Sequence, residues 1–132
     1  MTGRYLLDTN IVIGLFNGDA GIVKWLSGVV DVHVCSIVMG ELYYGAMKST
    51  RKKENIARVD AFALSSSVLE SDCITAKEYG VIKNELRQKG APIPENDVWI
   101  AAFAKQYGLT LVTADAHFKK TSSIKTKLMG IS

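Results

Sequence analysis

"YLLDTNI", Tyr5 to Ile11, places an aspartate directly behind an apolar run and in front of a threonine and an asparagine. Tyr5, Leu6 and Leu7 read as the end of a buried strand, where an unpartnered charge is costly, so Asp8 needs a reason to stand there. Strand-like runs recur along the chain, separated by stretches of helical periodicity. The predicted strands are Arg4 to Asp8, Asp31 to Cys35, Val68 to Glu70, Thr110 to Thr113 and Ile124 to Leu128. Helices are predicted at Asn10 to Asn17, Gly21 to Val29, Ile37 to Met47, Lys53 to Leu64, Thr75 to Lys89 and Glu95 to Tyr107. Gly18, Gly90 and Gly108 read as helix stops and Ser36 as an N-cap. Alternation of this kind implies βαβ units: an α/β fold with a central parallel sheet of about four to five strands, flanked by helices on both faces.

In an open parallel sheet, ligands bind beyond the carboxyl ends of the strands, where loops diverge and helix N-termini face the crevice. Asp8 falls at such an end. So does Asp115, which follows the run "LTLVT". Two further acids lie on helical faces that point inward. Glu41, in "SIVMGELYYGAM", shares its stripe with Ile37, Val38, Tyr44 and Gly45; Asp97, in "PIPENDVWIAAFAKQYG", aligns with Ile100, Ala101 and Ala104.

Taken singly, each acid has an ordinary reading. Asp8 and Asp115 suit helix caps, Asp97 complements a helix dipole, and Glu41 fits a half-exposed helix position. Four inward carboxylates without a matching set of inward basic residues are costly together, and a divalent cation is the economical partner. Hard ions such as Mg²⁺ and Mn²⁺ take carboxylate oxygens and water, whereas zinc prefers histidine or cysteine. Bound to such acids, one or two ions activate water for attack on a phosphodiester. Asn10 and Thr113 stand where they can hold the carboxylates and waters in place.

Composition bounds the alternatives. With 132 residues, 48% of them hydrophobic, the chain has room for one domain, expected to span 1–132, and not for two. Only two prolines and no low-complexity stretch imply order almost end to end. The N-terminus lacks a leader-like pattern and no apolar run reaches the ~18 residues that span a bilayer, so a soluble, cytoplasmic protein without membrane contact is expected. Cys35 and Cys73 lack zinc-like neighbours and read as free thiols. The net charge of +3 permits an anionic partner.

The segments "YLLDTNI", "SIVMGELYYG", "GAPIPENDVWIAAFAKQYGLTLVTAD" and the "HF" that follows resemble, in order, the PIN-domain ribonucleases, and in particular VapC-type toxins of toxin–antitoxin pairs. The resemblance implies that Asp8, Glu41 and Asp97 are catalytic acids that bind metal directly. Asp115 falls at a fourth position that varies between aspartate and asparagine in such proteins, and Thr9, Asn10 and Thr113 match supporting polar positions. It further implies Mg²⁺- or Mn²⁺-dependent endonucleolytic cleavage of RNA leaving a 5′-phosphate and a 3′-hydroxyl. The expected partners are an RNA substrate and a cognate antitoxin, through which alone DNA is met, and a homodimer is expected. A PIN-like RNA-processing nuclease outside a toxin system is the nearest alternative. The segment from Lys48 to Glu70 matches no motif.

His33 reads as a strand residue that packs, and His117 as a residue that packs or faces solvent. Basic clusters offer an RNA track, with Arg51, Lys52 and Arg87 as the expected contacts. The early helices carry Ile11, Val12, Leu15, Phe16, Ile22, Trp25, Leu26 and Val29, more apolar surface than one sheet face requires. Part of that surface, with Phe16 or Trp25 in it, is the expected antitoxin seat. Two other classes fit less well. A haloacid-dehalogenase phosphohydrolase wants an aspartate where Asn10 stands, and a receiver domain wants a late lysine where the chain offers Asp115. A non-catalytic RNA-binding module normally shows substituted acids, and all four are present.

Overall fold

A computed structural model describes residues 3–131. The central strand is β1, Arg4–Leu7, whose last three residues are buried on both faces, as its continuous apolar run requires. It pairs in parallel with β2 (Asp31–Cys35) on one side and β4 (Thr110–Thr113) on the other. β3 (Ser67–Leu69) and β5 (Thr126–Leu128) complete a five-stranded sheet of order β3-β2-β1-β4-β5. The chain thus winds outward from β1 to β3, then crosses back to β4. Right-handed crossovers with that reversal put the early helices on one face and the later pair on the other. The reversal also opens a crevice between the carboxyl ends of β1 and β4, the switch point where ligands bind in such sheets.

Six α-helices follow the predicted pattern: α1 (Thr9–Phe16), α2 (Ala20–Ser27), α3 (Ser36–Met47), α4 (Lys52–Ser65), α5 (Cys73–Lys89) and α6 (Glu95–Tyr107). Their ends have local causes. Asp72 starts α5 two residues earlier than periodicity suggested, because its carboxylate accepts from the N–H groups of Ile74 and Thr75 while the Thr75 hydroxyl caps its own N–H. Gly90 and Gly108 end α5 and α6 in the left-handed region, at φ 65° and 63°. The N–H of the residue after each returns five residues, to the carbonyls of Leu86 and Ala104. Ser36 is not the cap of α3 but its first residue; the cap is Cys35, without a side-chain bond. A short 3₁₀ turn at Ala116–Lys120, absent from the sequence expectation, follows Asp115.

One core unites the sheet with Ile11, Val12, Ile22, Val38, Ile100 and Phe103; a smaller one joins α5 to α6 through Ile82, Leu86 and Val98. Ile11, Val12 and Ile22 are fully buried, so much of the apolar surface of the first two helices is spent inside the domain. Cys35 is buried and Cys73 exposed, and neither forms a disulfide. Burial pushes the Cys35 thiol up to about 11, so it stays protonated and inert. Among the described residues no helix is long and apolar enough to cross a membrane.

Candidate metal centre

The backbone ladder between β1 and β4 continues through the Asp8 N–H, which donates to the Val112 carbonyl at 2.9 Å. The strand therefore fixes the aspartate's Cα before its side chain makes a contact. Asp8 is both the cap of α1 and a site residue: its Oδ1 accepts from the Thr9 N–H at 2.8 Å. Oδ2 accepts from the Thr113 hydroxyl at 2.7 Å and from the Asn10 amide at 3.3 Å. The Asn10 carbonyl oxygen in turn accepts from the Ala114 N–H, and the Thr113 hydroxyl from the Asp115 N–H. These contacts lock the loops after β1 and β4 together.

The other acids reach the same crevice from helices. Glu41, in the second turn of α3, accepts from the Thr9 hydroxyl at 2.8 Å. Asp97 stands in the first turn of α6, a helix whose Ile100, Ala101 and Ala104 are buried, and Asp115 caps the 3₁₀ turn by accepting from the His117 N–H.

His117 was expected to pack or face solvent; its ring does pack, tilted against Phe118 at 4.7 Å, but it also bridges two of the acids. Its Nδ1 lies 2.6 Å from Asp115 Oδ1 and its Nε2 2.7 Å from Asp97 Oδ2. The Nε2 contact is close but not aligned as a hydrogen bond, so it is mainly electrostatic. The ring thus has a carboxylate oxygen beside each of its nitrogens. The available signal was local: a histidine two residues past a capping aspartate is held beside it by the turn.

Electrostatics ties the acids into one group. Burial pushes the Asp8 carboxyl above the ordinary carboxylate range, against the Thr113 hydroxyl and Thr9 N–H that hold it down, while the charges of Glu41 and Asp115 add to the rise. Burial, then the Asp8 charge, pushes Asp97 up to about 6 although His117 pulls the other way. Asp8 is 5% exposed, and among the described residues no lysine or arginine pairs with Asp8, Glu41, Asp97 or Asp115. Hard oxygen donors grouped so that neighbouring charges push Asp8 and Asp97 up are chemically matched to a hard divalent cation. Among the described residues no three of these side chains converge as a ready-made cage. Asp97 and Asp115 are turned to His117 instead.

The remaining expected residues lie apart from this group. Arg51 pairs with Glu54 at the start of α4, Lys52 is exposed beside it, and Arg87 lines a groove between α5 and α6. None forms a hydrogen bond or ion pair with the four acids among the described residues. Phe16 lines a groove of about 260 Å³ between α1, α3 and α4 that also reaches Glu41. Its ring meets Phe62 edge-on at 5.4 Å and the Arg58 guanidinium at 4.8 Å. Trp25 is not part of that groove; it packs edge-on against Tyr5 at 4.9 Å, with Lys127 over its ring. His33 bonds Ser67 on the neighbouring strand β3 and meets Asp31 on its own strand β2, a structural role. Tyr44, expected on the inward stripe of α3, is 67% exposed.

Residues 5–124 match the PIN domain family. The chain is 36% identical to Ribonuclease VapC2 of Haemophilus influenzae, across 94% of its own length and 96% of that protein's. It is 31% identical to the tRNA(fMet)-specific endonuclease VapC of Shigella flexneri, again across 94% and 96%. The crystal structure of VapBC2 from Rickettsia felis bound to a promoter DNA fragment superposes with a TM-score of 0.87 at 29% identity, covering 96% of this chain and 99% of that one.

Proposed function

The chain belongs to the PIN-domain family, and from that premise we propose that it is a Mg²⁺- or Mn²⁺-dependent endoribonuclease, the toxin of a type II toxin–antitoxin pair. The observation that carries the reading is the group of Asp8, Glu41, Asp97 and Asp115 at the switch point, scaffolded by Thr9, Asn10 and Thr113 and lacking a lysine or arginine partner. When bound there, a divalent ion lowers the pKa of a water and offsets charge on a phosphodiester under attack.

The protein's own contributions are positional. Asp8 is held by three donors and cannot swing away, which fixes one side of the site. Glu41 is steered by the Thr9 hydroxyl, so α1 and α3 approach the metal centre as a unit. Asp97 and Asp115 share His117, which bridges the two carboxylates and keeps them beside each other. One or two ions fit a donor set of this size.

Residues 1–132 act as one nuclease unit in the cytoplasm, as a homodimer paired with a protein antitoxin that supplies contact with DNA. The groove beside Phe16, apolar yet open toward Glu41, suits an antitoxin segment that carries a basic side chain to the acids. Arg51, Lys52 and Arg87 steer RNA through long-range charge rather than by touching the site. The test is to sequence RNA 5′ ends after brief induction of the parent and of Asp8→Asn, and to repeat cleavage in vitro with and without chelator. New 5′-phosphate ends that depend on Asp8 and vanish with chelator are expected. Cleavage that survives exhaustive chelation overturns the metal mechanism.

A further inference from the structure

The largest cleft beside the acids has a wall that the metal centre does not use. It encloses about 740 Å³ and is lined by Thr9, Glu41 and Asn96 at one end and by Tyr44 and Lys48 along α3. Glu41, Tyr44 and Lys48 follow at spacings of three and four, so they form one line on the helix surface leading away from the acid. Tyr44 is 67% exposed, and its side chain makes no hydrogen bond among the described residues. Lys48 places its ammonium 4.8 Å from the Tyr44 ring centroid. Between them the floor is bare: a Cβ added at Gly40 or Gly45 meets nothing within 4 Å.

A large aromatic ring left open to solvent, with a cation beside it and a line of approach to a phosphodiester-cleaving centre, has the parts of a single-stranded nucleic-acid subsite. Four carboxylates repel the RNA backbone, so affinity must come from neighbouring walls. Two of these reach Glu41 and pair an aromatic ring with a cation: Phe16 with Arg58, in the groove read above as the antitoxin seat, and Tyr44 with Lys48, whose ring is the more open to solvent. We propose that Tyr44 stacks the base of a nucleotide flanking the cut and that Lys48 holds an adjacent phosphate. The subsite takes an unpaired nucleotide of single-stranded RNA, and the inference rests on the nuclease reading above. It assigns to α3 a second task, since the same helix presents Glu41 to the metal centre and Tyr44 to the substrate. A duplex does not fit the role, because its bases are already stacked on one another.

The experiment uses the full chain, a labelled single-stranded oligoribonucleotide that the parent cleaves, and the same oligonucleotide with an abasic nucleotide on either side of the cut. Tyr44→Ala is expected to raise KM roughly 10-fold with kcat nearly unchanged, from the range typical of one lost base stack, and Tyr44→Phe to retain parental KM. On the RNA whose abasic position matches the subsite, parent and Tyr44→Ala converge. Lys48→Ala lowers the log–log salt slope of binding by about 0.7. The exposure of Tyr44 leaves the fold intact in these variants, and thermal unfolding checks that. Parental KM in Tyr44→Ala, or equal losses in Tyr44→Ala and Tyr44→Phe, overturns the stacking role while leaving the nuclease reading in place. Unchanged RNA kinetics with weakened binding of a protein partner makes the wall a protein-docking surface and overturns it too. A parent that cleaves no RNA removes the nuclease reading, and this subsite with it.

Discussion

Asp97 Oδ2 lies 2.7 Å from His117 Nε2, and the same ring reaches Asp115 with its other nitrogen. Among the described residues this imidazole is the one basic side chain within 4 Å of these carboxylates. It cross-links the first turn of α6 to the turn after β4, two segments that otherwise bring like charges together.

The first expectation concerns that link. His117→Ala in chelator should lower unfolding free energy by about 1–2 kcal/mol, because Asp97 and Asp115 lose the ring that bridges them and that opposes the rise at Asp97. Saturating Mg²⁺ should shrink the loss, since the ion supplies the missing positive charge. Urea unfolding in both media measures this. Equal losses with and without metal would reduce His117 to a packing residue.

Neutralising the acids should separate chemistry from folding. Asp8→Asn, Glu41→Gln and Asp97→Asn are each expected to abolish RNA cleavage and to change metal-free stability by less than ~1 kcal/mol, or to raise it, because mutual repulsion is relieved. Asn at position 8 keeps an oxygen for the Thr9 N–H. A loss of several kcal/mol in all three would mean that the carboxylates serve structural hydrogen bonds, and full activity in any one would remove that residue from the site.

The pH dependence of the metal-free protein has a definite sign. Asp8 and Asp97 have folded pKa values raised above the unfolded value, Asp97 to about 6 from 3.8. Groups raised in this way favour the folded state when protonated, so their contribution is fully present below about 4 and is lost as pH rises through about 6. Thermal unfolding in chelator should fall across that window, and Asp97→Asn should flatten the fall. Added Mg²⁺ should restore stability at the upper end. A rise across the window in chelator would contradict the burial and repulsion described for these two acids.

Phe16 and Trp25 should behave differently. Phe16→Ala should weaken binding of the cognate antitoxin at least tenfold and blunt growth rescue, with a modest cost in stability, since the ring faces a groove. Trp25→Ala should chiefly destabilise, on the order of 2 kcal/mol, by removing the ring packed on Tyr5. Affinity and unfolding measured on both variants resolve the two roles. Parental affinity in Phe16→Ala would place the antitoxin seat elsewhere.

Much of this was legible in the residues, for identifiable reasons. Leu6 and Leu7 announced a central strand because burial on both faces leaves no polar alternation, and Asp8 then had to stand at a sheet edge. Gly90 and Gly108 marked helix ends because each takes a left-handed conformation there. What stayed hidden depends on orientation across long separations. Periodicity brought Tyr44 onto the stripe of Glu41 but could not show that the stripe leaves the core at that turn. The ring of His117 belongs locally to Asp115, while its second partner arrives from α6. Phe16 and Trp25 looked alike as apolar positions on adjacent short helices, and only the packing of α3 and α4 beside one and of β1 beside the other sets them apart.

The hydrogen bond from Thr113 to Asp8 joins residues 105 apart in the chain. During translation the ribosome releases Asp8 and Glu41 well before Asp97, Thr113 and Asp115, and β1 waits for β4 before its second edge is closed. An unfinished polypeptide is therefore harmless to the RNA around it. The groove beside Phe16 draws its lining from Ile13 through Val59, all of it made earlier than the last two acids, Asp97 and Asp115. On the reading proposed above, protein synthesis delivers the surface for an inhibitory partner before it delivers the means of cutting.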